Sequence, residues 1–309
     1  MKLLYKDSSA TDPLYNKIQE DHPDYEPPSL LRDRVEALYQ TCQGLVDKKF
    51  PIQIKHDFAS CYSELYFCST FIKRLGLDVT HPSDKGPDYY LKGLDCWAEV
   101  VTAADGVKDN VNSIPQTING VLIDAPRRQF MLRFTNSFTY KAHKILEYIN
   151  KGLIHETQKI VICINGGWLS GLNGLPFHPV GGVPAAVSAL LPIGNMILMI
   201  DKDNMSIAER TFEYRDYVIK EINGNSEQIR TDYFLDSKYS CISAVVYSYA
   251  KVTSSINDSD LGRDFFIIHN PMATNKLPLG SIKCGVEYNV QVDDESISVE
   301  TIENERIDQ

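Results

Sequence analysis

The sequence predicts an α/β protein in which a mixed central β-sheet is flanked by helices. Two kinds of segment predict this class: stretches with apolar residues at helical three-and-four spacing, and short continuous apolar runs of strand length. The chain has 309 residues and 43% of them are hydrophobic, enough for a sizeable core. We expect an N-terminal arm and helix over residues 1–54, an α/β domain over 55–284, and an acidic C-terminal tail over 285–309.

Apolar spacing predicts three helices. They cover residues 30–46, residues 58–75 with Gly76 as the stop, and a third segment that begins at Thr135 or Asn136 and ends before Gly152. Residues 104–128 lack periodicity and are rich in Asp, Asn and Gly, so we expect a long loop there. Loops of that length in compact domains tend to be functional.

The strands are predicted from apolar runs and turn residues. A strand over 87–91, a Lys92-Gly93 turn and a strand over 96–101 form a hairpin. Continuous apolar runs at 159–165, 196–200 and 265–269 are typical of buried strands, whereas 242–249 fits a strand or a short helix.

The hairpin carries two acids that packing alone does not require. Asp88 opens its first strand, and Glu99 lies inside the apolar second strand, where an unpaired charge is costly to bury. On the helix over 58–75, Glu64 lies on or beside the apolar stripe. Three inward acids form a site suited to Mg²⁺ (or Mn²⁺), because such hard cations take one or two carboxylates plus water.

A helix glutamate, a strand, Gly86-Pro87-Asp88, a hairpin and an acid in an apolar strand follow one another in this order. The pattern resembles the PD-(D/E)XK, or restriction-endonuclease-like, superfamily over roughly residues 55–165, as an αβββαβ core. The resemblance implies that Glu64, Asp88 and Glu99 hold a divalent metal. It also implies a lysine two residues after the second acid that assists the attacking water.

Val101 stands where the resemblance expects that lysine. Members of the superfamily sometimes carry the lysine on a neighbouring helix, and the resemblance then points to Lys141 or Lys144. In this interpretation Glu64, Asp88, Glu99 and Lys141 form the catalytic group.

Charge is distributed unevenly around the net charge of −10. The tail over 285–309 holds eight acids and one basic residue, whereas residues 127–151 hold six basic residues and one acid. A local basic face can bind phosphates on a mildly acidic protein; the alternative is an ordinary solvated helix face. The start of the tail alternates apolar and polar residues, which favours an ordered strand. The alternatives are a disordered solvating tail, or a tail that covers the basic helix and mimics nucleic acid.

Arg133, Ser137 and Lys141 fall near the predicted N-terminus of the third helix, with Lys144 one turn further. Such a group suits a phosphate, since the free N–H groups and the helix dipole both favour an anion. Capping chemistry explains Ser137 equally well but leaves Arg133 and Lys141 unexplained. We therefore expect Arg133, Ser137 and Lys144 to bind substrate.

Several other classes are disfavoured. The first residues become polar at once and no apolar run approaches the roughly 20 residues of a membrane span, so we expect no signal peptide and no membrane partner. Seven cysteines without CxxC or Cys/His spacing are typical of a reducing cytosol, and we expect a cytoplasmic protein, with export by a dedicated secretion system left open. No Gly-Lys-Ser/Thr loop, GxSxG elbow or HExxH motif is present.

These observations favour a metal-dependent nuclease that hydrolyses phosphodiester bonds of DNA or RNA, and cutting two strands would suit a homodimer. A second hypothesis is a catalytically inactive restriction-endonuclease-like scaffold that binds nucleic acid or a protein partner; Val101 favours it. A third is an unrelated α/β protein in which the acids form an internal hydrogen-bonded network.

Overall fold

The computed structural model describes residues 3–82, 85–108, 110–115, 126–169, 182–254, 257–293 and 296–304. Its α-helices, in chain order, are α1 Pro13–Ile18, α2 Leu30–Cys42, α3 Phe50–Gln53, α4 Phe58–Ser69, α5 Arg127–Asn150 and α6 Ala185–Ser188. A π-helical turn, Thr70–Arg74, extends α4 to Leu75, and Gly76 at φ +64° ends it. This extension accounts for the predicted helix over 58–75.

The strands are short on the hairpin side of the sheet and longer elsewhere. They are β1 Val79–Thr80, β2 Tyr89–Leu91, β3 Cys96–Thr102, β4 Lys159–Asn165, β5 Ile193–Ile200, β6 Ile207–Tyr214, β7 Tyr217–Ile222, β8 Asn225–Arg230, β9 Ala244–Ser248, β10 Phe266–His269, β11 Val286–Val292 and β12 Ile297–Glu303. Eight of them form one mixed sheet in the order β1-β2-β3-β4-β9-β10-β11-β12, and β5-β6 and β7-β8 are separate two-stranded ribbons. The mixed α/β class is confirmed.

The sheet is mixed because it contains both parallel and antiparallel pairs of strands. β3, β4 and β9 run parallel to one another, as do β10 and β11, whereas the remaining neighbours are antiparallel. From α4 to β4 the elements follow the order αβββαβ. The predicted element order over this segment is therefore observed.

Each face of the sheet is covered by its own apolar cluster. On one face Ala98 and Val100 pack with buried residues of α2 and α4, and on the other Trp97 and Val101 pack with α5. Because side chains alternate along a strand, Glu99 points to the α5 face. β3 therefore lies between α4 and α5, and this position determines where the acids can meet.

The N-terminal and C-terminal segments both join the sheet's packing. Leu3, Leu4 and Tyr15 are buried in the cluster on the α4 side. β11 lies parallel to β10 and buries Tyr288 and Val290, which confirms the ordered strand expected at the start of the tail. The described part of the tail, residues 285–293 and 296–304, therefore belongs to the sheet.

Two sequence predictions are corrected by the fold. α5 begins at Arg127, eight residues before Thr135, because Phe130, Phe134 and Phe138 form an apolar stripe at four-residue spacing that reaches back to that point. The run at 196–200 is a strand, but it pairs only with β6 and its side chains are about half exposed. Among the described residues, no helix combines the length and apolar character needed to cross a membrane.

Candidate active site

Asp88 and Glu99 are hydrogen-bonded to each other just before β2 begins at Tyr89. β2 pairs with β3 only as far as Ala98, so the next residues of β3 have no β2 neighbour and Asp88 takes that place. The Asp88 Oδ2 atom accepts a hydrogen bond from the Val100 N–H at 2.6 Å, and the Asp88 N–H donates to Glu99 Oε2 at 3.2 Å. The hairpin thus brings the two acids together, as the sequence predicts.

Two lysines of α5 bind the Glu99 carboxylate. Lys141 Nζ lies 2.7 Å and Lys144 Nζ 2.8 Å from Glu99 Oε1, and Lys141 Nζ is also 4.0 Å from Asp88 Oδ2. Glu99 is fully buried, and these two cations are what make its charge tolerable there. Burial opposes the charged form of Lys144, but the Glu99 carboxylate outweighs it and raises the pKa of that ammonium group.

Lys141 and Lys144 share one face of α5 because residues three apart on a helix are neighbours. Tyr148 continues this face, and its ring centroid lies 5.5 Å from Lys144 Nζ. Lys141 is buried, whereas the side chain of Lys144 is 36% exposed. Lys144 is therefore the more accessible of the two cations.

Glu64 approaches the same place from α4, on the opposite face of the sheet. Burial, and next the Asp88 charge, raise the pKa of Glu64 to about 8. Burial, and next the Glu99 charge, raise the pKa of Asp88 to about 6. Within the described part of the chain no donor forms a hydrogen bond to the Glu64 carboxylate. The Lys141 charge lowers both pKa values but does not outweigh burial and the neighbouring acids, so Glu64 and Asp88 remain short of positive charge.

The three predicted metal ligands do not form one group. Among the described residues, no three His, Cys, Asp or Glu side chains are arranged to hold a single metal ion, and Glu99 is instead engaged by two lysines. Mg²⁺ needs only one or two carboxylates, because it keeps several of its waters. Burial and the charges of neighbouring acids raise the pKa of Glu64 and Asp88, and a divalent cation would offset both effects, so these two acids fit such an ion.

The predicted phosphate site at a helix N-terminus is wrong. Arg133 and Ser137 lie within α5, well after its start at Arg127, so their backbone N–H groups are used inside the helix. The Ser137 hydroxyl donates to the Arg133 carbonyl at 3.1 Å, and Thr135 donates to Leu132 in the same way. These hydroxyls satisfy the preceding turn instead of capping a helix end.

Arg133 is nonetheless positioned differently from its basic neighbours. Arg128 donates to Asn112 and to the Ile219 and Val111 carbonyls, so it is an internal brace rather than a solvated cation. Arg133 forms no hydrogen bond or ion pair with the described residues, and its Nε atom is buried. Burial lowers the pKa of Arg133, which the nearby Asp105 partly offsets.

His81 is a residue of this site that the sequence analysis missed. Its Nδ1 atom lies 2.7 Å from the Asp88 carbonyl, and its Nε2 atom lies 3.1 Å from Asp47 Oδ1. The Asp47 charge also contributes to the raised pKa of Glu64. A histidine and proline shortly before Gly86-Pro87-Asp88 were the available signal, whereas nothing in the sequence links Asp47 to the hairpin.

The predicted loop over 104–128 is only partly described. Residues 103–108 and 110–115 contain neither helix nor strand, whereas 109 and 116–125 lie outside the described residues. Gly106 packs closely against the Arg133 guanidinium, so this segment passes beside α5. The loop therefore flanks the Arg133 end of the lysine-bearing helix.

Comparisons of this chain with protein-family models, with curated proteins and with solved structures find no match in any of the three. The chemistry open to the site therefore follows from its own side chains. Two crowded carboxylates can bind a hard cation, and two adjacent ammonium groups can bind a phosphate or hold a neighbouring acid.

Proposed function

We propose that this protein is a metal-dependent nuclease of the PD-(D/E)XK type, hydrolysing phosphodiester bonds of DNA or RNA. One observation carries the proposal: Glu64 and Asp88 are partly buried acids with raised pKa values next to Glu99, which two lysines of α5 bind. Perturbed titratable groups in such an arrangement are typical of functional sites.

Asp88 and Glu64 would hold Mg²⁺ or Mn²⁺ in this proposal. When bound, the ion supplies an activated water near neutral pH and polarises a phosphoryl oxygen. Both acids must be ionised to bind it, so cation binding would release protons between pH 6 and 8, the range of their pKa values.

Lys141 and Lys144 would stabilise the negative charge that develops on the phosphate. Glu99 holds both ammonium groups in place before substrate arrives, and such preorganised charge is the largest source of stabilisation in many enzymes. In this proposal Lys141 replaces the lysine that the superfamily pattern expects at Val101. Lys144, which is more exposed, is the one we expect to contact substrate first.

Arg133 would bind a phosphate further along the strand. It lies eight residues before Lys141 in α5, which corresponds to about 12 Å along the axis, or three to four nucleotides at about 3.4 Å each. Within the described residues its guanidinium group is not committed to a carboxylate. Ser137 lies between Arg133 and Lys141, and its substrate contact remains a prediction.

The proposal extends to assembly and location. A homodimer would present two such sites and so could cut both strands of a duplex, and a cytoplasmic nucleic acid is the expected substrate. Sedimentation of the free protein and of its DNA complex tests the dimer directly.

The test of activity is a cleavage assay on supercoiled plasmid, single-stranded DNA and RNA with Mg²⁺ or Mn²⁺. Asp88→Ala should lose cleavage, because Asp88 is a metal ligand in this scheme. Asp95→Asn is the matched control, since Asp95 is an exposed acid at the other end of the same hairpin. If only the wild type and the control cleave, the nucleic acid that they cut is also the substrate class. Equal cleavage rates in all three proteins would refute the assignment.

The second hypothesis, an inactive scaffold that binds nucleic acid or a protein partner, also has a specific observation in its favour. Both lysines are bound to Glu99, and the described residues provide no group of three metal ligands. That protein would bind nucleic acid with the same affinity with or without Mn²⁺. Cation-dependent binding or cleavage excludes it.

A further inference from the structure

Two arginines lie near the start of α5, and the described residues provide no acidic partner for either of them. Arg127 is the first residue of α5, and Arg215 lies between β6 and β7. Arg127 Nη2 donates to Ser188 Oγ at 2.8 Å, and Arg215 Nη2 donates to the Ile193 carbonyl at 3.1 Å. Arg215 Nη2 also lies 3.6 Å from the sulfur of Met131, one helical turn after Arg127, so both guanidinium groups are near the same turn of α5.

Neither guanidinium group is neutralised by the described residues. No described carboxylate lies within 4.0 Å of either one, although Glu213 exerts a weaker attraction on Arg215. Burial lowers the pKa of both arginines, and the Arg215 charge lowers that of Arg127 further. Two partly buried like charges oppose folding unless an anion joins them.

Both guanidinium groups also have N–H donors that the described residues do not use. A guanidinium group has five N–H donors, and the described residues accept one hydrogen bond from Arg127. The Nε atom of Arg215 is buried and has no described partner. Planar donors of this kind match the oxygens of phosphate, often two at a time.

We propose that Arg127 and Arg215 together bind a phosphate-type oxyanion beside the first turn of α5, near Ser188 and Ile193. The site is separate from the acid and lysine group, because Arg127 lies fourteen residues before Lys141, or about 21 Å along α5. It does not depend on nuclease activity. Both inorganic phosphate and the terminal phosphate of a nucleic-acid strand have the required chemistry.

Thermal unfolding in sodium phosphate and in sodium chloride of equal ionic strength tests the site. With about 20 mM phosphate and millimolar affinity, the Tm of the wild type should rise by about 3 °C. Arg127→Met and Arg215→Met should lose that rise. Arg230→Met should keep it, because Arg230 is paired with Asp232 and Asp236 elsewhere on the surface. An equal rise in all four proteins, or none in the wild type, overturns the proposal.

The same variants in phosphate-free buffer separate binding from a structural role. Removing one of two repelling charges should leave the Tm of Arg215→Met at or above that of the wild type. A loss of several degrees in both single variants would mean that the arginines are structural braces, and it would overturn the proposal.

Oligonucleotides with and without a 5′-phosphate then distinguish the source of the anion. If the strand end binds here, fluorescence anisotropy should show tighter binding of the phosphorylated strand by the wild type and no preference in Arg215→Met. If free phosphate is the ligand, the phosphate-dependent Tm rise should persist while both strands bind equally. Each result supports the site, and loss of both responses refutes it.

Discussion

Glu64 is an acid whose charge state near neutral pH depends on the fold. Burial and the Asp88 carboxylate raise its pKa to about 8, and the described residues offer it no hydrogen-bond donor. Asp88, with its pKa raised to about 6, is affected in the same direction. Because the folded protein holds these protons more tightly than the unfolded chain, the contribution of these two acids to stability falls as pH rises from about 4 to about 8.

Glu64→Gln removes this penalty, and the free energy of unfolding at pH 8 without metal should rise by about 1 kcal/mol or more, or a few degrees in Tm. At pH 5, where Glu64 is protonated in the folded state, the change should be small. Thermal unfolding at both pH values measures the difference. Glu147→Gln is the control, since Glu147 is 65% exposed and should respond little at either pH. A gain of equal size at both pH values would contradict the charged state assigned to Glu64.

Glu99, unlike Glu64, is bound by two positively charged side chains, Lys141 and Lys144. Glu99→Gln leaves Lys141 and Lys144 near an uncharged amide in a buried place, and this should destabilise the protein by about 3–5 kcal/mol. Adding Lys141→Met should recover part of the loss. Urea unfolding of the two single variants and the double variant gives the coupling energy directly, and purely additive effects would contradict the ion pair.

The site is formed by three elements that are well separated in sequence: α4, the β2-β3 hairpin and α5. The short β2 leaves the second half of β3 open to Asp88, α5 brings its lysines from one face, and α4 brings Glu64 from the other. The hairpin acids could be predicted, since eleven residues and a tight turn separate them. The contacts of Lys141 and Lys144 with Glu99 span 42 and 45 residues, and only the resemblance suggested those lysines.

Other elements show what local pattern can and cannot predict. β4 could be predicted with its observed bounds, because a continuous apolar run between polar residues is typical of a strand buried on both faces of a parallel sheet. The start of α5 was missed because Thr135, Asn136 and Ser137 resemble a cap. These three residues lie inside the helix because Phe130, Phe134 and Phe138 pack on the sheet and extend the helix back to Arg127. The exposure of β5 was missed because hydrophobicity does not reveal which strand lacks a covering layer.

β11 and β12 make the C-terminal segment part of the sheet, and this has a testable consequence. Deleting residues 285–309 removes both strands, including the buried Tyr288, Val290 and Ile297, and should leave a protein that does not fold cooperatively. Circular dichroism during heating measures this. Deletion of 305–309 alone is the control and should leave the Tm within a degree or two. A folded 1–284 fragment with stronger DNA binding would instead support a displaceable, nucleic-acid-mimicking tail.

At the scale of the whole molecule, a net charge of −10 coexists with a basic helix whose charges are largely engaged within the fold. Arg128 is an internal brace, and Lys141 and Lys144 bind Glu99. A nucleic acid would therefore meet a small number of exposed cations and not a broad basic surface. We expect its affinity to depend on a bound divalent ion and only moderately on salt.

The proposed divalent-cation site of Asp88 and Glu64 lies beside the lysine-bound Glu99. Calorimetric titration with Mn²⁺ at pH 8, on wild type, Asp88→Asn, Glu64→Gln and the control Asp95→Asn, tests it most directly. We expect the wild type and the control to bind Mn²⁺ with an affinity that weakens as the pH is lowered towards 6, and the two site variants to lose binding. No binding by the wild type, or equal affinity in all four proteins, would contradict it.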